Sequence, residues 1–172
     1  AFRGCSGLTS PPDLSGWTQV ENANNAFRGC SGLTSPPDVS GWTQVTDAGN
    51  AFRNCSDLTS PPDVSGWTQV TNVESTFFGC SGLNSAVDIS TWNPTLLINA
   101  ESMMENISAA GFDQTAYDAA LIAWDANYDL TTVNSIGVHF GSAQYTPGGA
   151  AEAARDKLVA NGWTITDGGP AT

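Results

Sequence analysis

The sequence is poor in positive charge: Lys and Arg together number 5, against 17 Asp and Glu, which gives a net charge of −12. A surface of this sign is repelled by nucleic-acid phosphates and by anionic lipid headgroups. The sequence also lacks any apolar run near the roughly 20 residues that a membrane-spanning helix needs. We therefore predict no nucleic-acid partner and no membrane insertion.

Histidine is almost absent, since His139 is the only one. Its neighbours Val138 and Phe140 place it in a predicted strand, a setting typical of a structural histidine. The sequence has no G-x-S-x-G motif, no Gly-rich phosphate loop and no H-x-x-x-H pair. Glycosidase-like chemistry needs two carboxylates at a defined separation in a cleft, which a regular coil does not offer. We predict that the chain is not an enzyme and has no cofactor.

What the sequence does contain is repetition. The stretch A-F-R-x-C-S-x-L-T-S-P-P-D-V-S-G-W-T-Q-V begins at Ala1 (with Leu14 for Val), at Ala26 and at Ala51, and it returns in altered form at Thr76. Its Phe, Cys, Leu, Asp and Trp positions each recur every 25 residues. A fixed period of this length predicts a solenoid in which each repeat is one coil stacked on the last. Because the chain opens in mid-pattern, we expect it to be part of a longer polypeptide.

Each repeat is predicted to hold a short helix and a strand. Apolar residues at i, i+3 and i+4 predict the helix over 22–29, ended by a left-handed residue, Gly29 or Asn54 in the third repeat. The double proline that follows restricts the backbone to an extended conformation, and a strand is predicted directly after it over 38–40. Alternation then turns Val39 inward and its two neighbours toward the open face.

The four cysteines occupy one position in each of four coils. Equivalent residues in stacked coils point the same way, whereas a disulfide needs two Cβ atoms turned toward each other. No C-x-x-C pair and no neighbouring His supports a metal column. We predict a ladder of small buried thiols with no metal.

Three further columns have more than one interpretation. Aspartates about 5 Å apart repel one another, and either Asx-type hydrogen bonds to the serine two residues on or bound Ca²⁺ would offset this, unless the carboxylates are simply solvated. The tryptophans either pack against one another at the edge of the core or form an exposed row that stacks on sugar rings. The threonine rows could order water as in ice-binding solenoids, but they break at Asn84 and Asn93.

The repeat array is predicted to end near Asn106, and 107–172 to form a C-terminal α/β cap. Thr115 and Asp118 resemble a capping box at the start of a helix. A strand is predicted from Ile136 to Phe140, a second helix from Thr146-Pro147 to Asn161-Gly162, and a last strand from Trp163 to Thr166. These strands are expected to extend the parallel sheet of the solenoid. Three residues are predicted to line the core face of the second helix: Ala151, Ala154 and Leu158. The first helix carries an i, i+3, i+4, i+7 stripe: Tyr117, Ala120, Leu121 and Trp124.

The unit F-x-x-C-x-x-L-T-x-x-x-D-V-S-x-W-x-x-V-T resembles the repeat of the BspA-like leucine-rich-repeat surface proteins of bacteria, over roughly residues 1–106. The segments T-A-Y-D-A-A-L-I-A-W, F-G-S-A-Q-Y and G-W-T-I-T-D-G-G are similar to those that close such arrays. The resemblance implies a secreted or surface-anchored protein of adhesion and recognition, without enzymatic activity in the repeat. Its most telling residues lie in the third repeat: Phe52, Cys55, Leu58, Asp63, Val64, Ser65, Trp67, Val70 and Thr71.

The sequence thus predicts an α/β fold, a right-handed leucine-rich-repeat-type solenoid with a parallel sheet, closed by a C-terminal α/β cap. The predicted function is non-enzymatic recognition or adhesion, in which the acidic chain binds a protein or glycan at a cell surface. The alternative is a rigid spacer in a longer surface or fibre protein. The candidate ligand-binding residues are the Asp and Ser residues of the open face and two residues of the Trp column: Asp13, Ser15, Asp38, Ser40, Asp63, Ser65, Asp88, Ser90, Trp42 and Trp67.

Overall fold

The structure is a computed structural model that describes residues 1–128 and 135–172. Regular helices and strands lie in its C-terminal half, whereas the repeats are built from turns and extended segments. The elements are a 3₁₀ helix at Pro94–Leu96, helix α1 at Gln114–Asn127, strand β1 at Gly137–His139, helix α2 at Ala150–Ala160 and strand β2 at Thr164–Thr166.

The repeats lie one on another as coils, here numbered 1 to 4 from their first residues (1, 26, 51 and 76). Single parallel bridges join Asn22 to Asp47, Asp47 to Asn72 and Asn72 to Asn99. A second set of backbone bonds runs through the Phe turn, where the Phe27 amide donates to the Ala51 carbonyl at 2.8 Å. The chain therefore keeps a 25-residue register between coils 1, 2 and 3, and residues that share a repeat position form columns.

The predicted helix over 22–29 is wrong. This segment is a series of turns, in which the Ala26 amide donates to the Ala23 carbonyl at 3.0 Å and the Phe27 amide donates to the next coil instead. Asn25 has a φ of 57°, a left-handed conformation that interrupts a right-handed helix. Hydrogen bonding between coils has replaced hydrogen bonding within a helix. The left-handed ends were predicted correctly, with φ of 74° at Gly29 and 59° at Asn54.

The predicted strand over 38–40 is also wrong in its position. The parallel bridges between coils lie at the Asn22 and Asp47 positions, and 38–40 pairs with no other coil as a strand. The Trp42 amide donates to the Val39 carbonyl at 3.0 Å, which closes a turn directly after the prolines. The facing of the side chains was nonetheless predicted correctly, because Val39 is buried and both of its neighbours are exposed.

Two aromatic columns run through the core. The rings of Phe27 and Phe52 stack with their centroids 5.4 Å apart and 5° between their planes, and Phe77 continues the stack at 5.8 Å. The rings of Trp67 and Trp92 stack at 6.3 Å. Offset stacking at these distances is favourable beyond the burial of ring surface. The columns bind each coil to the next by side chains as well as by backbone.

The cysteines form the predicted thiol ladder in three of four coils. Cys30, Cys55 and Cys80 are free and buried, and each Sγ donates at 3.1 Å to the carbonyl of the Phe 28 residues earlier. Cys5, in coil 1, is also free but is exposed. The buried position of the thiol is therefore created by the preceding coil.

The C-terminal segment continues the parallel pairing, although among the described residues the array contributes single bridges and not the parallel sheet that was predicted. Ala100 bridges Val138 in parallel, and β1 pairs with β2 in parallel register, Gly137 opposite Thr164. Helix α1 packs onto the end of coil 4, where Trp124 Nε1 donates to the Ile89 carbonyl at 3.0 Å. Parallel backbone pairing therefore joins successive coils of the array and also joins the array to the segment that follows it. The predicted core stripes of both helices are buried: Tyr117, Ala120, Leu121, Trp124, Ala151, Ala154 and Leu158.

Two predicted helix starts need correction. Helix α1 is capped by Asp113, whose Oδ1 accepts from the Ala116 amide at 2.9 Å, and not by a box at Thr115. Helix α2 begins at Ala150 after Gly149, so the proline at 147 lies before it. The segment around Thr146 is instead drawn toward α1, because the Thr146 amide donates to Asp118 at 3.0 Å. In the described ranges no helix combines the length and apolar character needed to cross a membrane.

Candidate recognition surface

Four Asp–Ser turns form a column on the exposed surface, which we call the Asp–Ser column. In each, the carboxylate Oδ1 of the aspartate accepts the amide of the serine two residues on, at distances of 2.9 to 3.1 Å. In the later three coils the serine hydroxyl also donates to this oxygen, at 2.6 to 2.7 Å. The local Asx arrangement predicted for the aspartates is therefore present. The column consists of Asp13, Ser15, Asp38, Ser40, Asp63, Ser65, Asp88 and Ser90.

These hydrogen bonds stabilise the ionised carboxylates. The pKa of Asp38 is lowered chiefly by the Ser40 hydroxyl and then by the Ser40 amide, and the pKa of Asp63 is lowered in the same way by Ser65. For Asp13 the backbone amide is the larger cause. The neighbouring carboxylates Asp13 and Asp63 act in the opposite direction on Asp38. The net result is a row of fixed negative charges facing water.

Among the described residues, no Lys or Arg forms an ion pair with an aspartate of this row. In the part of the chain that the structure describes, the two ion pairs are Arg155–Asp167 and Lys157–Asp125, both in the C-terminal segment. The same described residues contain no group of three or more His, Cys, Asp and Glu placed to hold a metal ion. The carboxylate oxygens that do not bond to serine are therefore available to an external donor.

The two tryptophans predicted as candidate ligand contacts lie in the core, which was the alternative interpretation of the Trp column. Trp42 is 3% exposed and Trp67 is fully buried, so the prediction that their indoles could meet a ligand is wrong. Each ring is covered by neighbouring coils, which makes the tryptophans a core column. Trp17 differs, because it is 45% exposed in coil 1. With Phe2 and Val20 it lines a cavity of about 310 Å³ at that end of the array.

His139 has a structural partner. Its Nδ1 accepts a hydrogen bond of 3.0 Å from the Gly141 amide. Gly141 has a φ of 67°, and the histidine ring fixes this left-handed turn at the end of β1. The threonine rows are similarly engaged, because the Thr59 hydroxyl donates to the Thr34 carbonyl of the previous coil at 2.8 Å.

The sequence analysis missed a polar ladder at the parallel bridges. Asp47 lies between two amides and accepts from Asn72 Nδ2 at 2.9 Å and from Asn24 Nδ2 at 3.2 Å. Its Oδ1 also accepts the Gly49 amide at 2.9 Å. The available signal was an Asn or Asp that recurs every 25 residues (Asn22, Asp47, Asn72). Its hydrogen bonds are satisfied within the protein, which makes this ladder architectural.

Comparison with known proteins places the chain in a family. The family model described as "Mycoplasma protein of unknown function, DUF285" matches residues 21–145, well over half of the chain. The chain belongs to this family. The matched range takes in coils 2 to 4, α1 and β1, so it covers most of the Asp–Ser column. No curated protein and no solved structure matches the chain significantly.

Proposed function

We propose that the chain is a non-enzymatic recognition module that binds a protein or glycan partner at a bacterial cell surface through the Asp–Ser column. The observation that carries this proposal is the repeated, exposed carboxylate, held in one orientation in four successive coils and unpaired by any cation among the described residues. Membership of a family that is typically surface-associated supports the location.

Pre-organisation is the physical reason that such a column suits binding. A side chain already fixed by two hydrogen bonds loses little conformational freedom when a partner arrives, and the cost of ordering it is a main term opposing affinity. Asp38, Asp63 and Asp88 each meet this condition, since amide and hydroxyl of the following serine hold the same oxygen. Their other oxygen is available to accept from sugar hydroxyls or from Lys and Arg of a protein.

The charge of the whole chain acts in the same direction. With a net charge of −12, the molecule attracts basic partners over distances up to about a Debye length, roughly 8 Å at physiological salt. A partner that carries Lys or Arg at the repeat interval would meet one carboxylate per coil. The expected partner is therefore a basic protein face or a hydroxyl-rich glycan with a repeating unit.

We further propose that the fold is of the leucine-rich-repeat class and that the chain is one of the BspA-like surface proteins. The 25-residue register of the backbone bonds supports a solenoid, and the resemblance of the repeat supports the subclass. The absence of enzymatic activity remains part of this proposal. It is supported by the engagement of His139 Nδ1 with the Gly141 amide.

A second candidate function is a rigid spacer. It is favoured by the continuous core, in which stacked Phe rings and buried thiols repeat from coil 2 to coil 4 and the Trp rings of coils 3 and 4 stack on each other. Such a column resists bending because each coil is bonded to the next by backbone and side chains. A spacer needs no partner on the Asp–Ser column.

The deciding experiment measures binding of the purified chain to a glycan array and to whole cells. We expect saturable binding that is lost in the double variant Asp38→Asn/Asp63→Asn, which keeps the shape of both side chains but removes their charge. Asp57→Asn is the matched control, because Asp57 is an exposed carboxylate of the array outside the column. Binding that survives in the double variant contradicts the assigned surface. Binding to nothing tested favours the spacer.

A further inference from the structure

Three of the five positive charges of the chain lie in one column, at Arg3, Arg28 and Arg53. Each follows the core Phe in the first turn of its coil. The Gly4 amide donates to the Arg28 carbonyl at 2.7 Å, and the Gly29 amide donates to the Arg53 carbonyl at 2.8 Å. Backbones joined in this way are about 5 Å apart, so successive arginines stand one coil apart along the array. We call these three residues the Arg row.

The guanidinium groups of Arg28 and Arg53 are held in a common orientation. Arg28 Nη1 donates to Asn25 Oδ1 at 3.1 Å, and Arg53 Nη1 donates to Asn50 Oδ1 at 3.2 Å. Both asparagines have a φ of 57°, a conformation that asparagine tolerates better than most residues. The same local turn therefore aims both arginines in the same direction.

Further contacts anchor the last arginine of the row. Arg53 Nη1 also donates to Ser75 Oγ at 3.2 Å, and its guanidinium carbon lies 4.4 Å from the centre of the Phe78 ring. In coil 4 the Arg position is occupied by Phe78. The row of charges therefore stops at Arg53, whose guanidinium packs over the Phe78 ring. Burial leaves Arg53 Nε without a hydrogen-bond partner.

Within the described residues, no Asp or Glu forms an ion pair with an arginine of the row. The chain has 17 Asp and Glu, yet in residues 1–128 and 135–172 the two ion pairs engage only Arg155 and Lys157. Like charges one coil apart repel each other, and asparagine oxygens compensate this only in part. A guanidinium presents five N–H donors in a planar fork that matches a carboxylate or sulfate. Most donors of Arg3 and Arg28 remain free to meet such a group.

We propose that the Arg row binds a linear anionic polysaccharide, with one acidic group of the chain per coil. A single polymer strand running along the array would place its carboxylates or sulfates on successive arginines. Broad anionic surfaces fit less well, because a membrane or a nucleic-acid duplex would bring many charges against a protein of net charge −12. This site uses none of the residues of the Asp–Ser column and assigns a second ligand class to the molecule.

The test uses the whole chain and three immobilised polysaccharides: a polyuronate, a sulfated dextran and neutral dextran. We expect binding to at least one acidic polymer, none to neutral dextran, and an affinity that falls as salt is raised. The two acidic polymers distinguish carboxylate from sulfate as the recognised group. Anionic lipid vesicles and duplex DNA serve as further probes, and equal binding to either would overturn the assignment to a polysaccharide.

Four variants locate the site. Arg28→Gln and Arg3→Gln should each weaken binding about tenfold, the effect of losing roughly one charge-assisted contact. Arg28→Lys keeps the charge but loses the fork, so it should weaken binding nearly as much. Lys157→Gln is the matched control, which removes one positive charge outside the row and should change affinity less than about twofold.

The outcomes separate this proposal from the function proposed above. Equal losses in Lys157→Gln and Arg28→Gln would show that net charge alone governs binding, and the Arg row would then be rejected. Arg3 is exposed, so Arg3→Gln is expected to fold normally and keeps the test decisive if Arg28→Gln does not. Loss of polymer binding in Asp38→Asn/Asp63→Asn, with binding retained in Arg3→Gln, would also contradict the proposal.

Discussion

The indole Nε1 of Trp92 donates a hydrogen bond of 3.1 Å to the carbonyl oxygen of Val64, one coil earlier in the stack. The same atom of Trp67 and of Trp42 is buried without a partner. Three tryptophans at equivalent repeat positions therefore differ in whether their polar atom is satisfied. Residues that are identical in the repeat therefore contribute differently to the stability of the array.

This difference predicts unequal costs for the same substitution. Trp92→Phe removes a hydrogen bond and leaves the Val64 carbonyl without that donor, whereas Trp67→Phe removes a buried donor that has no partner. Both variants lose the same ring volume, so we expect Trp92→Phe to be less stable by about 1 to 2 kcal/mol. Urea unfolding followed by circular dichroism measures the two free energies. Equal values would contradict the role assigned to the Val64 bond.

The Asp–Ser turns predict a change in acid titration. In the folded chain the pKa of Asp38 is below its ordinary value because the Ser40 hydroxyl and amide bond the carboxylate. Ser40→Ala removes the hydroxyl, so the pKa of Asp38 should rise toward the ordinary value. Carboxyl ¹³C chemical shifts followed against pH measure this directly. Asp63 keeps its own serine and serves as the internal control.

The sign of the linked stability effect follows from the same shift. A folded pKa below the unfolded value means that stability is present above the unfolded pKa, near 3.9, and is lost as the pH falls through the folded pKa. The wild type and Ser40→Ala should therefore differ in stability at neutral pH and converge in strong acid. A difference that grows as the pH falls would contradict this linkage.

The thiol ladder predicts selective chemical reactivity. Cys5 is exposed, whereas burial raises the pKa of Cys80 to about 12 and also raises that of Cys55. Because the thiolate is the reactive form, a thiol reagent at mildly alkaline pH should label Cys5 alone in the folded protein. Mass spectrometry counts the labels, and unfolding in urea should expose all four sites. Rapid labelling of Cys55 without denaturant would show that the coils open.

Much of the burial pattern was readable from the sequence. The 25-residue period predicted which side chains share a column, and the buried Val39 and exposed Asp38 follow from alternation after the prolines. The amphipathic stripes of α1 and α2 were likewise correct. These features depend on the spacing of residues along the chain, which can be read directly from the sequence. The predicted leucine-rich-repeat class and the proposed partners stay predictions.

The errors have a common physical cause. Apolar spacing around Phe27 is compatible with a helix, but its amide finds the Ala51 carbonyl of the next coil, and the left-handed Asn25 prevents helical continuation. The burial of Trp42 also required a neighbouring coil, since the equivalent Trp17 is exposed. The sequence of one repeat does not show which of its polar groups will form hydrogen bonds with a neighbouring coil.

The sequence by itself determined the repeat length, the composition of each column and the acidic character of the surface, because these depend only on the order of residues. The tertiary structure decided where the backbone bonds run, which tryptophan nitrogens remain unpaired, and that Arg28 and Arg53 point alike through Asn25 and Asn50. Those features arise from distances of a few ångströms between residues 25 positions apart. Only stacking of the coils brings them together.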